Sequence, residues 1–149
     1  MITKQASKRW FTAASCLGIV LVQLDVSIVN VGLHSLKQAY NASVSELEWV
    51  INAYALVFAA LMLSSGSIVD RFGSKKTFIS GVLFFIVASV CCALAPTIGW
   101  LDFTRGLQGI GAALLLPSSL TLLRQYFSDS HERSSAIAMW AAAGSLALV

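Results

Sequence analysis

The chain has 149 residues and a formal net charge of +3; 57% of its residues are hydrophobic and only 11% are charged, where a soluble globular domain carries about 25% charged residues. That balance all but excludes a water-soluble domain, and ten Lys and Arg without a dense cluster give no nucleic-acid surface. Residues 49–69, 77–101, 106–123 and 134–149 contain no Asp, Glu, Lys or Arg, and apolar runs of about 18 or more residues read as membrane spans.

The first predicted span covers residues 10–33, about 36 Å of helix against a hydrocarbon core of about 30 Å. Lys4, Lys8 and Arg9 precede it, but no small-residue cleavage site follows, so it reads as a retained span. It carries four polar residues, Gln23, Asp25, Ser27 and Asn30. Gln23, Ser27 and Asn30 share one helical face, and Asp25 points away from it. A polar connection, 34–48, then leads to Ser45 and Glu48, spaced as a capping box at the start of the second span, residues 49–69.

A charged loop, residues 70–76, separates this from the third span, 77–94, which is the most lipid-like. The turn 95–99 contains Pro96 and Gly99. The fourth span, 100–123, holds Asp102, Arg105 and Gln108, a small-residue pair Gly109 and Ala113 suited to packing, and a mid-helix Pro117 that predicts a kink. After the loop 124–133, the apolar run 134–149 is too short to cross, so the chain reads as the front part of a longer protein with an incomplete fifth span. Eight Lys and Arg lie before span one and in the second and fourth connections, against one, Lys37, in the first and third. The basic bias predicts a cytoplasmic N-terminus. Cys16, Cys91 and Cys92 sit in apolar runs and read as packing residues; no metal-ligand spacing is present.

The loop Gly66-Ser67-Ile68-Val69-Asp70-Arg71-Phe72-Gly73-Ser74-Lys75-Lys76 resembles the connection between spans two and three of the major facilitator superfamily. Leu24-Asp25-Val26-Ser27-Ile28-Val29-Asn30-Val31 is similar to the first-span motif of its fourteen-span drug:proton antiporter branch, and Arg105-Gly106-Leu107-Gln108-Gly109-Ile110-Gly111-Ala112-Ala113 to its fourth-span motif. Three motifs in the family's order cover nearly the whole chain. His34 stands where that branch usually has proline, Gly32 where it has alanine, and Ser74 where it has a basic residue. The resemblance implies an all-α bundle of inverted three-helix repeats that rocks around a midplane site. It also implies export of amphipathic compounds in exchange for protons.

The residues themselves support specific expectations. Asp25 and Arg105 lie at similar depths on spans one and four, and intramembrane ionisable residues suggest an ion or substrate path. Asp25 is therefore the candidate proton carrier and Arg105 its partner, with Asp102, three residues from Arg105, as a competing partner. Gln23, Ser27, Asn30 and Gln108 are expected along a cavity or substrate path. In the loop, Gly66 is expected to admit a close helix, Asp70 and Arg71 to pair, and Gly73 to form a tight turn, with Lys75 and Lys76 completing a conformational latch. No enzyme signature, cofactor motif or metal constellation is found. The expected partners are the lipid bilayer of the cell's inner membrane, a small-molecule substrate with protons, and the missing C-terminal half; nucleic acid is not expected. A facilitator for another small molecule and a non-transporting membrane fragment are the alternatives.

Overall fold

The computed structural model describes residues 2–147, with side chains from Lys8 onward. Five helices follow one another: α1 (Ile2–Tyr40), α2 (Val44–Phe72), α3 (Ser74–Ala93), α4 (Ile98–Tyr126) and α5 (Ser130–Leu146). Lys8–Tyr40 of α1 and the whole of α2, α3 and α4 are long and apolar enough to cross a membrane. Leu148 and Val149 of the expected fifth span lie outside the described residues, as does the side chain of Lys4.

The helices run past their apolar stretches, so each connection is shorter than the sequence predicts. α1 continues through the polar residues to Tyr40, with His34 and Gln38 hydrogen-bonded one turn apart at 3.1 Å. Three residues then suffice to reach α2. Its capping box is Ser43 and Glu46, not Ser45 and Glu48: the Glu46 N–H donates to Ser43 Oγ at 3.3 Å and the Ser43 N–H donates to Glu46 Oε2 at 2.8 Å. Both pairs have the right spacing, and the earlier one wins because it adds two residues to the helix and satisfies the Ser43 and Glu46 backbone donors.

The loop 70–76 contracts to one residue. Gly73 ends α2 and begins α3 with φ +86, a backbone geometry that side chains with a Cβ resist. Residues 127–129 join α4 to α5, where Asp129 accepts from the His131 N–H at 3.2 Å. Near this end, Ser74 is buried and donates to Gln125 Oε1 at 2.6 Å, the Phe11 and Tyr126 rings stack at 3.6 Å, and Lys8 pairs with Glu132. These contacts tie together the starts of α1, α3 and α5 and the end of α4.

α4 is the central and most buried helix, packed along its length on α2 and α3 and flanked by α1; α5 packs on α1. The approach is close because glycines replace side chains. A Cβ at Gly109 would lie 2.7 Å from the Tyr54 carbonyl oxygen of α2, and one at Gly111 2.9 Å from the Phe85 backbone of α3. Gly66 has no such neighbour: a Cβ there meets nothing within 4 Å, so it does not admit a close helix among the described residues. α4 is continuous through Pro117, where the Ser118 and Ser119 hydroxyls donate to the Leu115 and Leu116 carbonyls at 3.1 and 2.8 Å.

Gly111→Ala is expected to lower the thermal stability of the detergent-solubilised protein by about 1–3 kcal/mol, since the Phe85 backbone cannot turn aside as a side chain could. Gly66→Ala should leave the melting temperature unchanged. Equal melting for the two variants would show that α3 and α4 separate freely.

Candidate functional site

Arg105, Gln108, Ala112 and Leu115 recur at helical spacing on the side of α4 that meets α1. Ala112 and Leu115 pack with Val22 of α1, Tyr54 of α2 and Phe85 of α3 in a buried apolar cluster. Asp25 stands almost one turn beyond Val22 on α1, which carries its carboxylate to the two polar residues of α4. The ion pair is direct: Arg105 Nη1 donates to Asp25 Oδ2 at 2.6 Å, and the side chains are 3% and 16% exposed.

Further bonds engage both carboxylate oxygens and two of the guanidinium nitrogens. Gln108 Nε2 donates to Asp25 Oδ1 at 2.6 Å, so both carboxylate oxygens accept a bond. Gln108 Oε1 accepts from the same Arg105 Nη1 at 2.8 Å, and Arg105 Nε donates to the Val50 carbonyl of α2 at 3.2 Å. The Arg105 guanidinium lies 4.4 Å from the centre of the Tyr54 ring, a cation–π contact. From α3, Ser89 Oγ accepts from Gln108 Nε2 at 2.9 Å, and the Cys92 thiol lies 3.2 Å from Thr104 Oγ1 and 3.4 Å from Gln108 Oε1. Four helices thus converge on one carboxylate. A buried pair with this many supporting bonds depends on every partner staying in place.

A cavity of about 440 Å³ opens beside this network. Asp25, Arg105 and Gln108 form its floor, and its walls rise along α1 to Tyr40, with Ser89, Cys92 and Ala93 of α3 opposite. Gln108 and Asp25 thus line one space. Gln23, Ser27 and Asn30 do not line it: they lie on the other face of α1, where Ser27 donates to the Ala147 carbonyl beyond α5 at 3.2 Å. Their spacing defined a polar face, but that face turns toward α5.

Two expected ion pairs are absent among the described residues. Asp102 is not paired with Arg105; it borders a groove between α2 and α4 beside Trp49 and Phe103, while Arg105 reaches toward α1. Asp70 and Arg71 are exposed and unpaired with each other, because neighbours on a helix diverge by about 100°. Arg71 lies over the Phe72 ring instead, at 5.6 Å. Lys75 and Lys76 are exposed beyond the Gly73 turn.

The sequence reading missed Tyr54, the Val50 carbonyl, Ser89 and Cys92. Spacing gave one usable signal, since Ser89 and Cys92 are three apart and share a face of α3. Cys92, expected only to pack, is part of the polar network.

Comparison with known proteins follows this geometry. The family model described as Major Facilitator Superfamily matches residues 15–149. A methylenomycin A resistance protein of Bacillus subtilis is 42% identical over 85% of this chain and 27% of its own length. The multidrug resistance protein Stp of Mycobacterium tuberculosis is 35% identical over 89% of this chain and 25% of its own. The methyl viologen resistance protein SmvA of Salmonella typhimurium is 34% identical over 93% and 28%. The chain therefore spans about a quarter of the length of these curated relatives.

Proposed function

This chain belongs to the major facilitator superfamily of membrane transporters, and on that premise we propose that it works, within a longer transporter, as part of a proton-coupled exporter of drugs or other amphipathic compounds. The observation that carries the reading is the Asp25–Arg105 pair at 2.6 Å, closed by Gln108 among membrane-spanning helices. Ionisable groups at such depth are costly, and packing alone gives no reason for them. A resistance role by name in the matched relatives supports the drug as cargo.

The coupling follows from electrostatics. Charged Asp25 attracts Arg105 and holds α1 against α4; a proton on Asp25 removes that attraction, and the helices can rearrange. Proton occupancy and helix arrangement then bias each other, as alternating access requires. Drug binding to the complete transporter would compete for the same rearrangement. The exposed Asp70, Arg71, Lys75 and Lys76 serve as a latch for helices outside this segment, with Gly73 as its turn. The N-terminus faces the cytoplasm, following the eight-to-one basic bias, and the membrane is the cell's inner membrane.

Inverted membrane vesicles holding the complete transporter test this. With an acidified lumen, an amphipathic dye cation is expected to accumulate inside while protons leave, and a protonophore, by collapsing the gradient, should stop the accumulation. Accumulation indifferent to the protonophore would overturn the reading. Residues 1–149 expressed alone should give no accumulation, because alternating access needs a second bundle.

A further inference from the structure

We propose that Tyr54 is a positioning residue for proton coupling: its hydroxyl oxygen accepts a hydrogen bond from Asp25 once that carboxyl carries a proton, and so sets how readily the proton is taken up. The inference deepens the proton-coupled reading above and rests on it. Tyr54 belongs to the buried cluster shared by α1, α2, α3 and α4 and is 6% exposed. Its ring lies 4.4 Å from the Arg105 guanidinium and stacks on Phe58 at 6.0 Å. A phenylalanine would serve both contacts. The hydroxyl adds a polar atom that is buried without a hydrogen-bond partner among the described residues. A buried hydroxyl left unpaired is destabilising, so its place here calls for a state in which it is paired. Because the described helices already enclose it, helices outside this segment cannot reach it without displacing them. The partner has to come from within the cluster.

Protonation of Asp25 supplies one. A hydronium gives its proton to the carboxylate, an O–H bond forms at one carboxyl oxygen, and neutral water remains. The carboxyl is then a donor in need of an acceptor, and the acceptors around it are taken. Gln108 Oε1 accepts from Arg105 Nη1 and faces the Cys92 thiol at 3.4 Å, Ser89 Oγ accepts from Gln108 Nε2, and the Val50 carbonyl accepts from Arg105 Nε. The Tyr54 oxygen is within electrostatic reach of both Asp25 and Arg105, and it is free. As the attraction to Arg105 lapses, the carboxyl turns to it. A bond made only to the neutral form favours that form.

The other charged or titratable groups facing Asp25 are Arg105 on α4 and Cys92 on α3. On α1 itself, Cys16 and His34 are each more than two turns away. On α5, His131, Glu132 and Arg133 sit in the first turn, at the end where Lys8 pairs with Glu132.

The complete transporter in detergent, binding the amphipathic dye cation across a pH series, tests this. A dye that competes with the proton binds with a pH midpoint that belongs to Asp25. Tyr54→Phe keeps the ring and removes the acceptor, so neutral Asp25 loses its stabilising bond and gives up the proton more easily. Half-maximal binding should then move by about 0.5–1 pH unit to the acid side, a three- to tenfold higher proton concentration, with the affinity on the alkaline plateau kept. Phe58→Leu disturbs the stacked ring and leaves the hydroxyl, and its midpoint should stay where the unmutated protein has it. A midpoint unmoved in Tyr54→Phe, or moved equally by Phe58→Leu, would make Tyr54 a packing residue. A shift to the alkaline side would mean that the hydroxyl serves charged Asp25, and would overturn the proposal. In each of those cases a flat profile for Asp25→Asn keeps the proton-coupled reading, whereas an unmutated profile for Asp25→Asn would sink both.

Discussion

Asp25→Asn is expected to abolish drug-driven proton movement in the complete transporter while the protein still reaches the membrane. Asparagine keeps the shape of the side chain and loses the titration. Its fit is imperfect, because both Asp25 oxygens accept bonds, from Arg105 and from Gln108. An amide offers one acceptor and one donor, so in either orientation one donor meets another. Turning the Gln108 amide does not help, since its oxygen already accepts from Arg105. The cost should be about 1–3 kcal/mol of stability, enough to lower abundance modestly without preventing folding. Combining Asp25→Asn with Gln108→Glu moves the carboxylate onto α4 and restores complementary partners. Stability should return in that double variant while coupling stays lost, if the proton must be carried on α1. Unmutated drug–proton exchange in Asp25→Asn vesicles would remove Asp25 from the mechanism.

Arg105→Ala should do more damage, and to folding first. It leaves Asp25 charged or desolvated without its guanidinium, opens the Gln108 oxygen and the Val50 carbonyl, and removes the cation from the Tyr54 face. Losing one member of a buried pair costs about 3–5 kcal/mol. Near-complete loss of protein from the membrane is the expected result. Arg105→Lys should recover part of the yield, since an ammonium can reach Asp25 but cannot also bind Val50 in a planar fork. Tyr54→Phe keeps the aromatic face and should be close to neutral for yield, whereas Tyr54→Leu removes it and should cost about 0.5–2 kcal/mol. Quantitative blotting of membrane fractions separates these ranks. Equal yields for Arg105→Ala and the unmutated protein would mean that water, not arginine, sustains Asp25.

The spans and the Asp25–Arg105 contact were legible because both follow from composition and depth: apolar runs fix which segments cross, and two rare charges in hydrocarbon need each other. Helix ends were less legible. Polar residues such as Lys37 and Gln38 look like loop but continue a helix well once it leaves the apolar layer. Facing was the hardest part. Spacing placed Gln23, Ser27 and Asn30 together on α1, yet only packing decides that this face turns toward α5 and the Asp25 face toward α4. The same limit hid Tyr54 and Ser89, whose importance comes from neighbours distant in sequence. Two spellings of one capping box, at Ser43 and Ser45, were equivalent on paper and distinguishable only by where α1 ended.

The glycines of α4 bear on how this bundle can move. Where side chains interlock, one helix must climb over another to change register, and the motion comes in steps. At Gly109 and Gly111 backbone meets backbone across α2 and α3, a smooth bearing that permits sliding of small amplitude at little steric cost. Gly109 directly follows Gln108. A change of partner at the Gln108 amide would therefore act beside the seam where α4 meets α2 backbone to backbone, and a displacement of a fraction of an ångström there is expected to reach α2 without repacking.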